Sequence, residues 1–139
     1  MHPIQIAVIG SGRVAQTLLR LAADAQIPIG GIFARNQNKA EALALQYHSV
    51  AVKSISELKA DLILICVSDD ALHEVIGQLG PQQFAAYTAG SPSIKLFGHE
   101  NLGVCYPYQS ISTNRDLLVS DIPFMIEGKN DFVLQRVTA

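Results

Sequence analysis

Apolar positions along this chain come in two spacings. Short unbroken runs suit strands buried on both faces. Between them lie stretches whose apolar members recur every three to four residues, the spacing of an amphipathic helix. The first run, from Ile4 to Ile9, reads as a buried strand. It ends in the turn Gly10-Ser11-Gly12, and a helix opens at Arg13 with Val14, Leu18, Leu19, Leu21, Ala22 and Ala25 on its apolar side. Ile27-Pro28 breaks that pattern. Ile29 to Ala34 reads as a second strand, weakened by Gly30 and Gly31. Asn36 then has the chemistry of an N-cap for a helix from Gln37 to Tyr47. Ser49 to Lys53 predicts a short third strand, and Ser54-Ile55-Ser56-Glu57 has capping-box spacing for a short helix ending near Lys59.

Asp61 to Val67 is the most continuously apolar run and predicts a central parallel strand beside the first, on the side away from the second. Ser68 is placed to cap a helix through Leu72, Val75, Ile76 and Leu79, with Asp69 and Asp70 complementing its dipole. Gly80-Pro81 ends it. Phe84 to Thr88 reads as a strand delivering Ala89-Gly90-Ser91-Pro92 to the same sheet edge, with Ser91 as N-cap and Pro92 at the first helical position. Val104 to Tyr106 and Ile122 to Glu127 read as two more strands, and Asp131 to Ala139 as the start of a helix. Strands alternating with helices predict an α/β fold, a doubly wound, mostly parallel sheet with helices on both faces.

With 139 residues, 49% hydrophobic and 16% charged, the chain suits one domain, residues 1–139. A formal charge of -2 gives no footprint for nucleic acid or an anionic membrane surface. No apolar run approaches the roughly 20 residues of a membrane span, and the N-terminus lacks a secretory pattern. A cytoplasmic protein is expected. Cys66 and Cys105 sit in apolar runs, where a thiol behaves as a small hydrophobe. His2, His48, His73 and His99 are scattered, so no metal is expected. His73 and Glu74 read as surface residues.

The chemistry concentrates at the first turn. Gly10 permits a tight turn, Gly12 removes the side chain that would block a pyrophosphate, and Ala15 lets the helix lie close on the sheet. The helix start presents unpaired N–H groups to phosphate. This is the GxGxxA form of the Rossmann dinucleotide fingerprint; the competing reading is a glycine turn that serves only packing. Where an NAD site places a carboxylate at the end of the second strand, this chain has Ala34-Arg35-Asn36. A guanidinium there can bind a 2′-phosphate, so NADP(H) is the expected cofactor, with Lys39 and Arg13 as further cations. The alternative is that Arg35 and Lys39 are solvated surface charges. Expected cofactor contacts are Gly10, Ser11, Gly12, Arg13, Val14, Ala34, Arg35, Asn36 and Lys39, with Val67, Ser68 and Asp69 at the edge of the central strand. Ser91, Tyr106 and Gln109 are candidates to face a substrate, and no catalytic residue is assigned.

These residues together resemble a group of NADP oxidoreductases with a Rossmann-like N-terminal domain and a C-terminal helical domain. That group is related to pyrroline-5-carboxylate reductases and 6-phosphogluconate dehydrogenase-like enzymes. The resemblance is carried by Gly10 to Ala15, Ala34-Arg35-Asn36, Ala60-Asp61-Leu62, Val67-Ser68-Asp69-Asp70, Ala89-Gly90-Ser91, Tyr106-Pro107-Tyr108-Gln109-Ser110 and Asp121-Ile122-Pro123-Phe124. The chain departs from the group's pattern at Arg13, Tyr87 and Tyr108, where Asn, His and Leu are usual. The resemblance implies an NADP-dependent oxidoreductase acting on a small carbonyl, imine or hydroxy acid, a homodimer, and a helical domain that this sequence lacks. The expectation is therefore a truncated form. The rival reading is a non-catalytic NADP(H)-binding sensor module.

Overall fold

Every strand of the first half of the chain splits its side chains between two cores, and that alternation sets the layers. In the computed structural model, which describes residues 4–88, 97–107 and 124–128, β1 is Ile6–Ile9. Ile6 and Val8 face one side, and Ala7 and Ile9 the other, as the two-residue period of a strand requires. On the first side lie α1 (Arg13–Asp24) and α2 (Gln37–Gln46), packed through Ala15, Leu19, Ala22, Ala40, Leu43 and Ala44. On the second lies α3 (Leu72–Gly77), with Leu72, Val75 and Ile76 joined by Ile55, Leu58, Tyr87 and Phe97.

The remaining strands are β2 (Ile29–Phe33), β3 (Leu62–Ile65), β4 (Ala85–Tyr87), β5 (Leu102–Pro107) and β6 (Phe124–Gly128). Among the described residues they form a six-stranded sheet in the order β2-β1-β3-β4-β5-β6. Pairing is parallel from β2 through β5 and antiparallel between β5 and β6. β1 thus lies between β2 and β3, as the apolar runs imply. The chain leaves β1 toward one face and β3 toward the other, which opens a crevice at their carboxyl ends. This is the α/β, Rossmann-like doubly wound sheet.

Four local expectations are corrected. Ser49 to Lys53 is not a strand: it makes only a single parallel bridge, Ala51 to Ile32, held by Ile32 N donating to the Val50 carbonyl and Val52 N to the Ile32 carbonyl. On either side of the bridge, the Ser49 hydroxyl donates to the Ile29 carbonyl and Lys53 N donates to the Glu57 carboxylate. The Ser54 capping box does not form either. Its hydroxyl meets Ser56 Oγ at 3.2 Å, and the segment is a three-residue 3₁₀ turn, Ile55–Glu57. Ser68 caps nothing with its side chain; Asp69–Ala71 form another 3₁₀ turn before α3 begins. Finally, α3 ends at Gly77, short of Leu79, because Gln78 N and Leu79 N reach back three residues to Val75 and Ile76 and tighten the last turn. By contrast Asn36 does cap α2, its Oδ1 accepting from Lys39 N at 3.2 Å. The region of Ser91-Pro92 and the expected helix from Asp131 lie outside the described residues.

One side chain ties the second face together. Gln83 donates to the carbonyls of Ile55 and Leu58 at 3.1 and 2.9 Å and accepts from Gly80 N at 2.7 Å. It pins the first 3₁₀ turn to the segment between α3 and β4.

Candidate functional site: a cleft at the glycine turn

Gly10 holds φ at +126°, a conformation L side chains rarely adopt, and a Cβ there would run into the Cys66 carbonyl. The turn can therefore cross directly over the end of β3. It is held by Gly10 N donating to the Phe33 carbonyl at 2.8 Å and by Cys66 N donating to the Ile9 carbonyl at 2.7 Å. Gln16 Nε2 donates back to the Ser11 carbonyl at 2.9 Å, fixing the turn to α1.

Gly12 is different. A Cβ built on it meets nothing within 4 Å, so its lack of a side chain leaves open space in the crevice and relieves no clash in the protein. Gly12 is also the N-cap of α1, where no side chain caps the helix and no acidic residue stands in the first turn. The first N–H groups of a helix have no intrahelical partner. Here no side chain caps them and open space lies beside Gly12, the arrangement that suits phosphate.

The crevice measures about 580 Å³, within the size range of small-molecule sites. At the sheet edge it is lined by Ile9, Gly10, Ser11, Gly12, Cys66, Val67 and Ser68. Its outer part has apolar walls, Phe33, Ile55, Ala71 and Val75, and a polar mouth of Arg35, Asn36, Glu74 and Gln78. Flat apolar walls suit a base, and the polar mouth suits a ribose and its substituents. Across the mouth, Arg35 from the end of β2 meets Glu74 from α3, Nη2 to Oε2 at 3.7 Å. A second hollow of about 410 Å³ continues past Gly12 and is lined by Arg13, Val14, Val67, Ser68, Asp69 and Thr88. Thr88 is buried there, its hydroxyl donating to the Ile65 carbonyl at 3.2 Å.

The expected cofactor residues thus divide. Gly10, Ser11, Gly12, Ala34, Arg35, Asn36, Val67 and Ser68 converge on the first crevice. Arg13, Val14 and Asp69 border the second. Lys39 is exposed in α2 and lines neither hollow. Ser91 and Gln109 lie outside the described residues, as does the side chain of Tyr106, whose backbone pairs with Met125. Residues that sequence reasoning missed come from the apolar walls and from α3. Ala71, Glu74, Val75 and Gln78 stand at i, i+3, i+4 and i+7, one helical face, so their spacing carried the signal. Which face of the helix meets the crevice did not follow from it.

Among the described residues, no group of three or more His, Cys, Asp or Glu comes together to hold a metal ion. No helix among them is long and apolar enough to cross a membrane.

Residues 5–87, more than half of the chain, match the family described as NADP oxidoreductase, coenzyme F420-dependent. No curated protein sequence matches the chain. Among solved structures, the "putative NADP oxidoreductase" of Bacteroides fragilis is similar with a TM-score of 0.80 at 22% identity, over 97% of this chain and 55% of that one. The 1-pyrroline-5-carboxylate reductase of Streptococcus pyogenes gives 0.70 at 17% identity, over 97% and 53%. The prephenate dehydrogenase of A. aeolicus, solved with hydroxyphenyl propionate and NAD+, gives 0.72 at 8% identity, over 99% and 56%. At these identities the likeness is one of fold. The chain spans just over half the length of these three proteins.

Proposed function

The chain belongs to the family of NADP oxidoreductases, coenzyme F420-dependent, and from that premise we propose that it is the cofactor domain of an NADP(H)-dependent oxidoreductase. The observation that carries the reading is the pairing of two features in one crevice: an uncapped helix start beside the open space at Gly12, and Arg35 at the end of β2. The first suits a pyrophosphate. The second suits a 2′-phosphate, which a carboxylate at that strand end would repel.

In this reading Gly10, Ser11, Gly12 and Val14 receive the pyrophosphate, with Arg13 beside it. Phe33, Ile55 and Val75 enclose the adenine, and Arg35 and Asn36 select the phosphorylated ribose. The nicotinamide end extends past Gly12 into the hollow bordered by Val67, Ser68, Asp69 and Thr88. The bound nicotinamide supplies the hydride chemistry, and the protein supplies position and field. The substrate is a small carbonyl, imine or hydroxy acid. Ser91, Tyr106 and Gln109 are proposed to face it, and the protein is proposed to act as a homodimer.

Replacing Arg35 tests the assignment. Arg35→Ala is expected to weaken NADPH about tenfold or more and NADH less than about twofold, the loss of one charge-assisted phosphate contact. An equal loss for both cofactors in calorimetric titration overturns the choice of NADP(H).

A further inference from the structure

We propose that Glu74 is a specificity-determining residue that restrains the preference for NADPH by holding Arg35 and opposing the 2′-phosphate. This rests on the reading of the crevice as an NADP(H) site. Sequence alone shows no carboxylate at the end of β2, but the fold supplies one from the opposite wall. Glu74 reaches across the mouth from α3 to within 3.7 Å of the Arg35 guanidinium, and both residues line the crevice. The group that would recognise a 2′-phosphate is therefore already engaged by an anion.

Two consequences follow from charge. A 2′-phosphate can pair fully with Arg35 only by displacing Glu74, and the displaced carboxylate stays on the same helix face, a few ångströms from a dianion. The side chains of Arg35 and Glu74 are 80% and 69% exposed, so their mutual attraction is weak and the exchange is easy. The like-charge repulsion that remains acts on NADPH and not on NADH, whose ribose hydroxyl is neutral and can donate a hydrogen bond to a carboxylate. Glu74 thus limits the preference for NADPH that Arg35 sets, without abolishing it. Neutralising Glu74 while keeping its shape releases Arg35.

The test is titration of this chain, of Glu74→Gln and of Arg35→Ala with NADPH and with NADH, each at about 20 mM and about 500 mM salt. For Glu74→Gln, NADPH is expected to bind about threefold to tenfold more tightly at low salt, as removal of one like charge at short range predicts, with NADH changed less than about twofold. The gain shrinks at high salt, where exposed charges are screened; a merely structural role for Glu74 would not follow salt. If Arg35→Ala lowers the NADPH-to-NADH ratio and Glu74→Gln leaves it unchanged or lowers it, the role of Glu74 is overturned and the NADP(H) site stands. If Arg35→Ala leaves the ratio unchanged, the NADP(H) reading itself fails, and the role of Glu74 with it.

Discussion

Gly10 and Gly12 are two residues apart and identical in composition, yet the structure gives them opposite duties. Gly10 answers to the protein: its φ of +126° and the Cys66 carbonyl leave no room for a Cβ. Gly10→Ala is expected to cost about 3 kcal/mol, combining backbone strain with overpacking, and to lower the melting temperature. The fold makes no such demand at Gly12, since a Cβ there meets only open space, and its proposed duty is to the ligand. Gly12→Ala is expected to leave stability within about 0.5 kcal/mol of the parent while weakening NADPH about tenfold or more, because the added methyl stands where a pyrophosphate would approach. Thermal melts and titrations of the two variants separate these effects. A Gly12→Ala protein that binds normally would show that the pyrophosphate does not approach Gly12. The distinction between the two glycines was half legible in sequence: the fingerprint names both positions, but only the contact of Gly10 with β3 shows which one the fold itself requires.

At the scale of elements, the sequence was informative wherever one steric or hydrophobic cause dominates, and uninformative where short segments choose between similar hydrogen bonds. The apolar run ending at Val67 could only be a central strand, and it is β3, between β1 and β4. Asn36 caps α2 because its short amide reaches the Lys39 N–H. Ser54 and Ser68 have equally suitable chemistry, yet both stand before 3₁₀ turns and their hydroxyls cap neither. After the 3₁₀ turn Asp69–Ala71, α3 lies with Ala71, Glu74, Val75 and Gln78 toward the crevice; helical spacing groups them but cannot orient them. Tyr47, at the C-terminal end of α2, gives a test of helix packing. Burial raises its pKa above the ordinary value, with Arg20 lowering it and Asp24 raising it by smaller amounts. A group whose folded pKa is raised lends stability below its unfolded pKa of about 10 and withdraws it as pH rises through the folded value. The protein is thus expected to lose stability above about pH 10, and Tyr47→Phe to lose less over the same range. Denaturant midpoints between pH 8 and 11 measure this, and equal losses in both proteins would contradict it.

For the whole molecule, the doubly wound sheet explains why distant parts of the chain meet in one crevice. Gly10 to Gly12, Ala34 to Asn36 and Cys66 to Ser68 are separated in sequence, but each follows a parallel strand, and parallel strands deliver their carboxyl ends to one edge. That much was legible from the order of runs and turns. The Arg35–Glu74 pair was not, since it joins the end of β2 to the helix that follows β3 and depends on the packing of both. The crevice combines a phosphate-suited helix start, apolar walls and a polar mouth that holds Arg35, and the proposal drawn from it is selectivity for the phosphorylated nucleotide. Calorimetric titration of this chain with NADPH and, separately, with NADH measures that selectivity. NADPH is expected to bind about tenfold more tightly, or about 1.4 kcal/mol; equal binding of the two, or tighter binding of NADH, would overturn the proposed selectivity.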